Sequence, residues 1–383
     1  MATIADYLQT LVNLKGRLKD NLIAKGVEVT DGEKLNSLVD RVADISASEP
    51  IDKVLYSIGV LSDIHLKDVN HGYADEDKID DKFSLSDYQK ALTFYKDNGV
   101  DFVAIAGDVV ANNWRDDSYY PAEELETVKS QERSEWVAEL QLYKQYNETY
   151  FPDKSVYTCT GNHDACPLGH WESPVVGLGM TIPEYGDGTK TGEQVWEEIV
   201  GTPLNHVVEH NGDVFIFFSM YYWNYVTPCR NEDIDWLEEK LEQYKEQRVF
   251  LFWHLPIPDT FAFGHGLEFL ANDASCRAGD VRLLLESYPN TICFTGHSHY
   301  DLALEAEYDN ANTYRADGTM TMIHCSSTAY PRLPNGDSYS NVPTGSQGYL
   351  VDVYENKVVI KGVDFTIGES GAFIPSANYV INV

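Results

Sequence analysis

Seven side chains that can bind a metal ion are spread along the chain in short clusters. They are Asp63, His65, Asp108, Asn162, His254, His297 and His299. This mixture of nitrogen and oxygen donors suits Mn, Fe, Zn or Co better than Ca or Mg, which prefer all-oxygen shells. Seven donors are too many for one ordinary metal ion. The sequence therefore predicts a site for two divalent transition-metal ions, with their identity (Mn, Fe or Zn) left open.

Two cations held about 3.5–4 Å apart need a shared ligand, and a carboxylate with two oxygens can supply it. Asp108 is the candidate for this bridge. Water held between two such ions loses a proton near neutral pH, because one zinc ion already lowers its pKa from 15.7 to about 7. The chemistry this predicts is direct attack of a bridging hydroxide on a phosphorus atom, with no phosphoenzyme. No competing motif for a nucleophilic Ser or Cys is present.

His163 follows the predicted ligand Asn162 and is a candidate catalytic residue. An imidazole can donate a proton near pH 7, which is what expulsion of an alkoxide requires. Asp164, the next residue, has two interpretations that the sequence leaves open. Its carboxylate could orient His163 for catalysis, or it could cap the start of a helix.

The donors follow runs rich in β-branched and aromatic residues, which indicate buried strands. The runs cover residues 54–61, 102–106, 156–160, 249–253 and 291–295. In open α/β sheets, ligands bind outside the carboxyl ends of the strands. Five strands that each end in Asp, Asn or His therefore predict a single converging site.

The remaining patterns predict the elements around these strands. We expect helices over 85–97, 193–200 and 231–247, one through Leu285, and one helix or a helix pair over 121–150. We expect strands over 321–325, 348–354 and 358–365, and a hairpin over 207–220 that turns at Asn211-Gly212. Two long loops are expected over 165–192, covering the site, and over 255–278.

Residues 1–50 form a separate helical pair in this interpretation, and residues 51–383 form the catalytic domain. Leucines at steps of three or four indicate an amphipathic helix that ends near Lys25-Gly26. Thr30 and Glu33 then predict a capping box at the start of a second helix. The apolar stripes of the two helices could pack on the catalytic domain or on a partner, and both alternatives stay open.

Composition restricts the class of protein. With 383 residues and 43% hydrophobic content the chain can bury a sizeable core. Its formal charge of −33 disfavours binding to nucleic acid or anionic lipid, which requires a basic surface. No run approaches the roughly 20 apolar residues of a membrane span, and no signal peptide is evident, so a cytoplasmic location is expected. The six scattered cysteines favour buried, reduced thiols.

The motifs resemble those of the calcineurin-like metallophosphoesterase superfamily, in order, over residues 51–365. The matching segments are Asp63-x-His65, Gly107-Asp108, Gly161-Asn162-His163-Asp164, the lone His254 and Gly296-His297-x-His299. The resemblance implies an α/β fold with a two-sheet β-sandwich flanked by helices. It also implies one metal held by Asp63, His65, Asp108 and His299, and a second held by Asp108, Asn162, His254 and His297. His163 takes the acid role.

Two branches of the superfamily are disfavoured. Purple acid phosphatases have a tyrosine where this chain has Ala111, and protein serine/threonine phosphatases have an arginine segment that residues 109–113 lack. The expected function is a metal-dependent phosphoric ester hydrolase acting on a small phosphomonoester or phosphodiester. A nuclease of the same superfamily is the alternative enzyme.

The N-terminal segment resembles segments of phage and prophage tail proteins, through its helix, Ala24-Lys25-Gly26-Val27 turn and helix. This resemblance implies a homo-oligomer, or a virion or tail partner bound through residues 1–50, and a location in the virion as the alternative. The site would then serve binding or degradation of cell-envelope polymers such as teichoic acid. Asn112, Arg115 and His265 are candidate substrate contacts on loops, with solvated surface as the alternative.

Overall fold

The chain divides into two compact units, Met1–Lys53 and Val54–Val383. The computed structural model describes residues 11–12, 14–16, 18–19, 21–23, 29–30, 32–41, 53–67, 83–111, 121, 123–165, 177–222, 228–257, 277–306, 314–316, 321–335, 338–341, 345–368 and 370–383.

The strands of the larger unit alternate with helices for most of its length. They are β1 Tyr56–Leu61, β2 Phe102–Ile105, β3 Val156–Thr158, β4 His206–His210, β5 Asp213–Phe218, β6 Val249–Trp253, β7 Thr291–Thr295, β8 Tyr314–Ala316, β9 Thr321–His324, β10 Arg332–Asn335, β11 Ser338–Asn341, β12 Gln347–Val353, β13 Lys357–Asp364 and β14 Ala372–Asn382. The helices are α1 Leu35–Asp40, in the N-terminal unit, and then α2 Phe83–Asp97, α3 Leu125–Tyr150, α4 Asn162–Ala165, α5 Gly192–Val200, α6 Asn231–Gln243 and α7 Asp280–Ser287, with a 3₁₀ turn at Leu302–Ala306.

Two mixed sheets of six strands form the body of this unit. The first has the order β14-β13-β12-β1-β2-β3, and the second β4-β5-β6-β7-β9-β8. Strands β1, β2 and β3 are parallel, and so are β5, β6, β7 and β9. The carboxyl ends of neighbouring parallel strands lie at one edge, so each sheet presents several strand ends together.

Apolar residues from both sheets pack together between them. Alternate side chains of each strand point inward, such as Ile58 on β1 and Phe217 on β5, and both are fully buried. Phe217, Phe252 and Phe294 occupy matching positions on β5, β6 and β7, and their rings stack at 4.9 and 5.2 Å between centroids. This aromatic ladder fixes the strand register of the second sheet.

The outer faces of the sheets are covered by helices. Val103 and Ile105 on the first sheet pack into a cluster with residues of α2, α3 and α5. Ile216 and Leu251 on the second sheet pack with residues of α6 and α7. The layers therefore run helix, sheet, sheet, helix, which confirms the predicted sandwich flanked by helices.

Most predicted elements are present. The hairpin turns at Asn211-Gly212, and residues 125–150 form a single helix instead of a pair. Strand β14, an edge strand of the first sheet, was not predicted. Pro375 interrupts its apolar alternation, and a bulge opposite Lys361 and Gly362 shifts its register.

The N-terminal unit contains helical residues between 11 and 23 and the helix α1. Leu22 and Leu38 are buried against each other, with Leu18 and Val29 beside them. The predicted capping box at Thr30 is wrong. The Glu33 side chain accepts hydrogen bonds from the Thr30 amide and hydroxyl, but Gly32 has a φ of 87°. Because a helical residue cannot adopt that angle, Thr30 closes a turn and α1 begins only at Leu35.

None of the helices in the described part of the chain has the length and apolar character that a membrane crossing requires.

Candidate metal centre

Three of the predicted ligands form a first cluster at the end of β1 and β7. Asp63 and His65 follow β1, and His299 follows β7. His299 Nε2 lies 2.8 Å from Asp63 Oδ1, and His65 Nε2 lies 3.1 Å from His299 Nε2. All three side chains are buried. Two ring nitrogens and a carboxylate oxygen therefore converge within reach of one cation.

A second cluster stands beside it and consists of Asp108, Asn162, His254 and His297. His254 Nε2 lies 3.2 Å from Asp108 Oδ2 and 3.1 Å from Asn162 Oδ1. His297 Nδ1 lies 2.8 Å from the same Asn162 oxygen. His254 Nδ1 is 2.8 Å from the Ala106 carbonyl oxygen and donates to it, so Nε2 is the ring nitrogen that faces the cluster.

Asp108 lies between the two clusters. Its Oδ2 is 3.2 Å from His254 Nε2 in the second cluster and 3.9 Å from His65 Nε2 in the first. Its Oδ1 accepts a hydrogen bond of 2.8 Å from the His163 backbone amide. The Asp108 carboxylate thus lies near ring nitrogens of both clusters, where a shared ligand has to be.

The backbone is strained at five of the seven residues. Asp63, His65, Asp108, His297 and His299 have φ angles between 48° and 74°, the left-handed region that side chains disfavour. The other non-glycine residue of this kind in the described ranges is Asn211, in the hairpin turn. Each such residue costs about 1–3 kcal/mol, and strain of this kind concentrates at binding and catalytic sites.

Two glycines of the motifs leave the space that the carboxylates of Asp63 and Asp108 occupy. A Cβ atom at Gly296 would lie 1.9 Å from Ser62 Oγ and 2.5 Å from Asp63 Oδ2. A Cβ atom at Gly161 would lie 2.2 Å from Asp108 Oδ1. Any side chain at either position would displace a carboxylate of the site, so both positions require glycine.

Burial and the interactions between charged groups leave most of the donors in the protonation state that binds a cation. Burial opposes ionisation of Asp63, but His299 and His254 outweigh it and hold the pKa of that carboxyl well below its ordinary value. Burial, reinforced by the neighbouring His254, lowers the pKa of His297 to about 3. Burial likewise lowers the pKa of His299 to about 3, although Asp63 opposes this. An ionised carboxylate and neutral imidazoles are the forms that bind metal.

His254 differs from these imidazoles. Burial would lower its pKa, but Asp108 and Asp63 together raise it to about 9. A positive charge on this ring partly balances two buried carboxylates. A divalent cation would supply that balance more fully, which makes the donor set a good fit to metal ions.

His163 lies at the edge of the site. Its ring packs edge-on against His65, with centroids 4.6 Å apart, and its Nδ1 donates to the Ala111 carbonyl oxygen at 2.5 Å. This contact leaves Nε2 as the ring atom available to a substrate. Burial lowers the pKa of His163, against the opposing charge of Asp108.

Asp164 does not orient His163, which corrects one of the two predicted interpretations. Its carboxylate accepts hydrogen bonds from the amides of Gly161, Val109 and Val110, at 2.8, 3.0 and 3.1 Å. Gly161 is the residue before α4, so the carboxylate satisfies the free amide at the start of that short helix. It also ties the helix to the loop after Asp108. The Asp164 carboxylate faces these three amides because, among the described residues, they have no other buried hydrogen-bond acceptor.

Tyr330 borders the first cluster and was not identified from the sequence. Its ring lies 4.5 Å from the His299 ring and 5.0 Å from the His65 ring, between centroids. The Arg332 guanidinium stands 5.3 Å from the Tyr330 ring. No local motif marks these two residues, because a loop and a strand after β9 bring them to the site. Asn112, Arg115 and His265, the predicted substrate contacts, lie outside the described residues.

Comparison with known proteins agrees with this fold. The crystal structure of a dimetal phosphatase from Danio rerio is similar with a TM-score of 0.50 at 14% identity, covering 86% of this chain and 99% of that one. A purple acid phosphatase from yellow lupin (Lupinus luteus) seeds has a TM-score of 0.50 at 12% identity. That match covers 85% of this chain and 53% of the lupin chain, so our chain spans about half of its length. At such identities the likeness shows the fold alone.

A search of curated proteins found no match. A family model, described as calcineurin-like phosphoesterase, matches residues 56–301. That range includes both clusters and more than half of the sequence. The chain belongs to the calcineurin-like phosphoesterase family.

Proposed function

We propose that the chain hydrolyses the P–O bond of a small phosphorylated substrate with the help of two divalent transition-metal ions. The observation that carries the proposal is the meeting of the two donor clusters at Asp108, on a backbone strained at five of the seven donors. Strain at so many adjacent positions is retained only where the side chains must reach one point. Ion binding is a function that uses all of these donors together.

In this proposal Asp63, His65 and His299 hold one ion, and Asn162, His254 and His297 hold the other. Asp108 is shared by both. When bound, the two ions would activate a water molecule and polarise the phosphoryl oxygens. The surrounding residues keep the site rigid, because the Asp108 carboxylate is held by the His163 amide and the His254 ring by the Ala106 carbonyl.

His163 is the proposed proton donor to the leaving oxygen. Its Nδ1 contact with Ala111 fixes the ring beside His65 of the first cluster, so Nε2 is the ring nitrogen left for a substrate. The acid role requires that Nε2 carry a proton when the substrate is bound. Asp164 supports this indirectly, since it holds the backbone of α4 from which His163 projects.

The function is tested by metal content together with turnover. We expect about two ions per chain in protein loaded with Mn²⁺ or Zn²⁺, and hydrolysis of a small ester such as bis(nitrophenyl) phosphate or nitrophenyl phosphate. The ions are counted by elemental analysis, and the two esters distinguish diesterase from monoesterase activity. Fewer than one ion per chain would contradict the proposal.

A nuclease is the other enzyme that this site could form, and the charge of −33 disfavours it. A binding role for the site, in a virion or tail, is a further candidate. It is favoured by the N-terminal unit, where Leu11, Val12, Leu14 and Ile23 are 48–62% exposed. Exposed apolar side chains on a short helical unit are typical of a segment that binds another chain. In that setting a phosphodiester polymer of the cell envelope, such as teichoic acid, would be the substrate.

Removal of residues 1–48 is expected to leave hydrolysis of a small ester within about twofold of the full chain and to change its oligomeric state or attachment. The physical reason is that every proposed ligand lies in the Val54–Val383 unit, whose first strand begins at Tyr56. Turnover and light-scattering mass of both proteins provide the measurement. An insoluble or inactive product would show that the segment is part of the catalytic unit.

A further inference from the structure

The last residue of β9 and the four that follow it have the sequence His324-Cys325-Ser326-Ser327-Thr328, and we refer to residues 324–328 as the hydroxyl strap. Its five side chains are almost completely buried. Its three hydroxyl groups all donate to backbone carbonyl oxygens of the loops that carry the first cluster. Buried hydroxyls are normally paired, so their partners indicate what the segment supports.

The loop after β1 receives most of these hydrogen bonds. Ser327 Oγ donates to the Asp63 carbonyl oxygen at 2.8 Å, and Thr328 Oγ1 donates to that of Ser62 at 3.1 Å. The Thr328 amide reinforces the second contact at 3.1 Å, and the Ala329 amide reaches the Asp63 oxygen at 3.3 Å. Two consecutive carbonyl groups, including that of a proposed ligand, are therefore held by the strap.

The loop after β7 is held at the other end of the strap. Ser326 Oγ donates to the His299 carbonyl oxygen at 3.3 Å. His324 Nε2 lies 2.6 Å from Ser298 Oγ, the hydroxyl between the two histidines of the Gly-His-x-His motif. The strap thus connects loops that are more than 230 residues apart in sequence.

These contacts act on the strained backbone itself. Asp63 and His299 have positive φ angles of 51° and 61°. The carbonyl group of a residue moves with its ψ angle, so a hydrogen bond to that oxygen fixes the remaining free backbone dihedral. Ser327 and Ser326 each hold the peptide group of one strained ligand and thereby the direction of its side chain.

The strap also holds the aromatic ring over this cluster. Ser327 Oγ accepts hydrogen bonds from the amides of Ala329 and Tyr330, at 3.0 and 2.9 Å. The Tyr330 ring then packs on His65 and His299. Ser327 therefore supports both the ligand Asp63 and the Tyr330 ring that packs on the imidazoles of His65 and His299.

We propose that the hydroxyls of the strap position the first cluster and set the affinity of one of the two ions, with a smaller effect on the other, which the strap reaches through Ser298 and through the His297 amide on Asp63. The inference rests on the proposed function, since it requires that the clusters bind ions. His254 of the second cluster has supports that do not involve the strap hydroxyls directly: the Gly296 amide donates to its carbonyl oxygen at 2.9 Å, and the Ala106 carbonyl accepts from its ring.

Ser219 provides a matched control. Its hydroxyl is also buried, donates to a carbonyl oxygen (Leu204, 2.7 Å) and accepts from an amide (Thr160, 3.0 Å). None of these partners lies in the loops of the first cluster. Ser327→Ala and Ser219→Ala thus remove the same type of group with the same type of partners. They differ because the carbonyl that Ser327 holds belongs to a ligand of the first cluster, Asp63, and the one that Ser219 holds belongs to Leu204.

The experiment is a titration of metal-free full-length protein with Mn²⁺, following bound and free ion by equilibrium dialysis and the paramagnetic resonance of isolated against coupled Mn²⁺. The unmodified chain is expected to bind two ions. In Ser327→Ala the affinity for one ion should fall about 10- to 100-fold, the usual effect of losing a group that orients a ligand. The affinity for the other ion should change much less, so an isolated-Mn²⁺ signal should appear at intermediate loading. Ser219→Ala should match the unmodified chain in its affinity for the ion of the first cluster; its partner Thr160 precedes Asn162, so the second ion is not part of this control.

Two further variants make the result specific. Ser326→Ala removes the longer contact, to His299, and should weaken the same ion to a smaller extent; it also provides the test if Ser327→Ala does not fold. In an Asn162→Ala background, where the remaining ion belongs to the first cluster, Ser327→Ala should weaken that ion. Ser327→Thr, which keeps the hydroxyl, should restore it.

The outcomes separate the two proposals. If the unmodified chain binds fewer than one ion, the proposed function fails and the positioning role fails with it. If the unmodified chain binds two ions and Ser327→Ala and Ser326→Ala bind them with unchanged affinities, the positioning role alone is overturned. Equal weakening of both ions in Ser327→Ala would also overturn it, because that is the result of a general loss of packing.

Discussion

Asp108→Ala is expected to reduce metal content and hydrolysis together, to the level of the uncatalysed reaction. The variant removes the carboxylate that touches both clusters. Without it, two divalent cations would lose the carboxylate shared between them, and their repulsion in a buried site is large. Loss of a residue that only orients a ligand costs about 10–100-fold in metal affinity, so loss of the shared ligand should cost more.

Asp213 is the matched control for this experiment. It is also a buried, ion-paired aspartate, which contacts Arg248 at 2.9 Å and the Tyr56 hydroxyl at 2.5 Å, but it lies at the start of β5 and away from the strand ends that carry the site. Asp213→Asn should lower the melting temperature and leave two ions bound. Measurement of metal by elemental analysis and of turnover in the same samples gives the comparison. Retention of both ions by Asp108→Ala would exclude it as the shared ligand.

His163→Ala is expected to retain both ions and to lose about 10²- to 10⁴-fold in turnover of an alkyl ester, the contribution of a general acid. Metal retention follows from the structure, because the His163 group that holds Asp108 is its backbone amide, which the variant keeps. The ring contributes its contacts to Ala111 and His65, and those are lost.

The leaving group decides whether the lost function is proton donation. A nitrophenolate leaves without a proton, so the loss in His163→Ala should shrink on a nitrophenyl ester relative to an alkyl ester. Both esters are measured with the unmodified chain and the variant, alongside metal content. Equal losses on the two esters, or loss of metal, would remove His163 from the acid role and make it a ligand or a positioning residue.

The strands that precede the site can be predicted from the sequence because the pattern that indicates each strand lies within the strand itself. Each is a short, mainly apolar run in which β-branched and aromatic residues dominate, and a polar donor follows within a few positions. β6 and β7 were predicted with the bounds they have in the structure, 249–253 and 291–295. Their convergence follows from the rule that parallel strands present their carboxyl ends at one edge. The sequence therefore predicts that the seven donors meet, and the structure brings them together.

Side chains that act by long-range contacts were not identified in this way. Asp164 has the same sequence neighbours in either of its predicted roles, and only the approach of the loop after Asp108 directs its carboxylate to backbone amides. β14 has a broken apolar alternation, and its pairing with β13 makes it a strand. In both cases the deciding partner lies elsewhere in the chain.

What the sequence by itself determined is the type and order of the chemical groups: which strands end in donors, and which donors a pair of metal ions would use. The tertiary structure alone decided how those donors are held. The serines and threonine of residues 326–328 look like an ordinary polar turn in sequence, yet they bond to carbonyl groups of Ser62, Asp63 and His299. The physical reason is that apolar periodicity is a local property of a strand. Every residue has the same backbone carbonyl, so the sequence does not show which carbonyl a given hydroxyl will bond. The partner of a buried hydroxyl is set only when the sheets pack and bring strained loops from distant parts of the chain together.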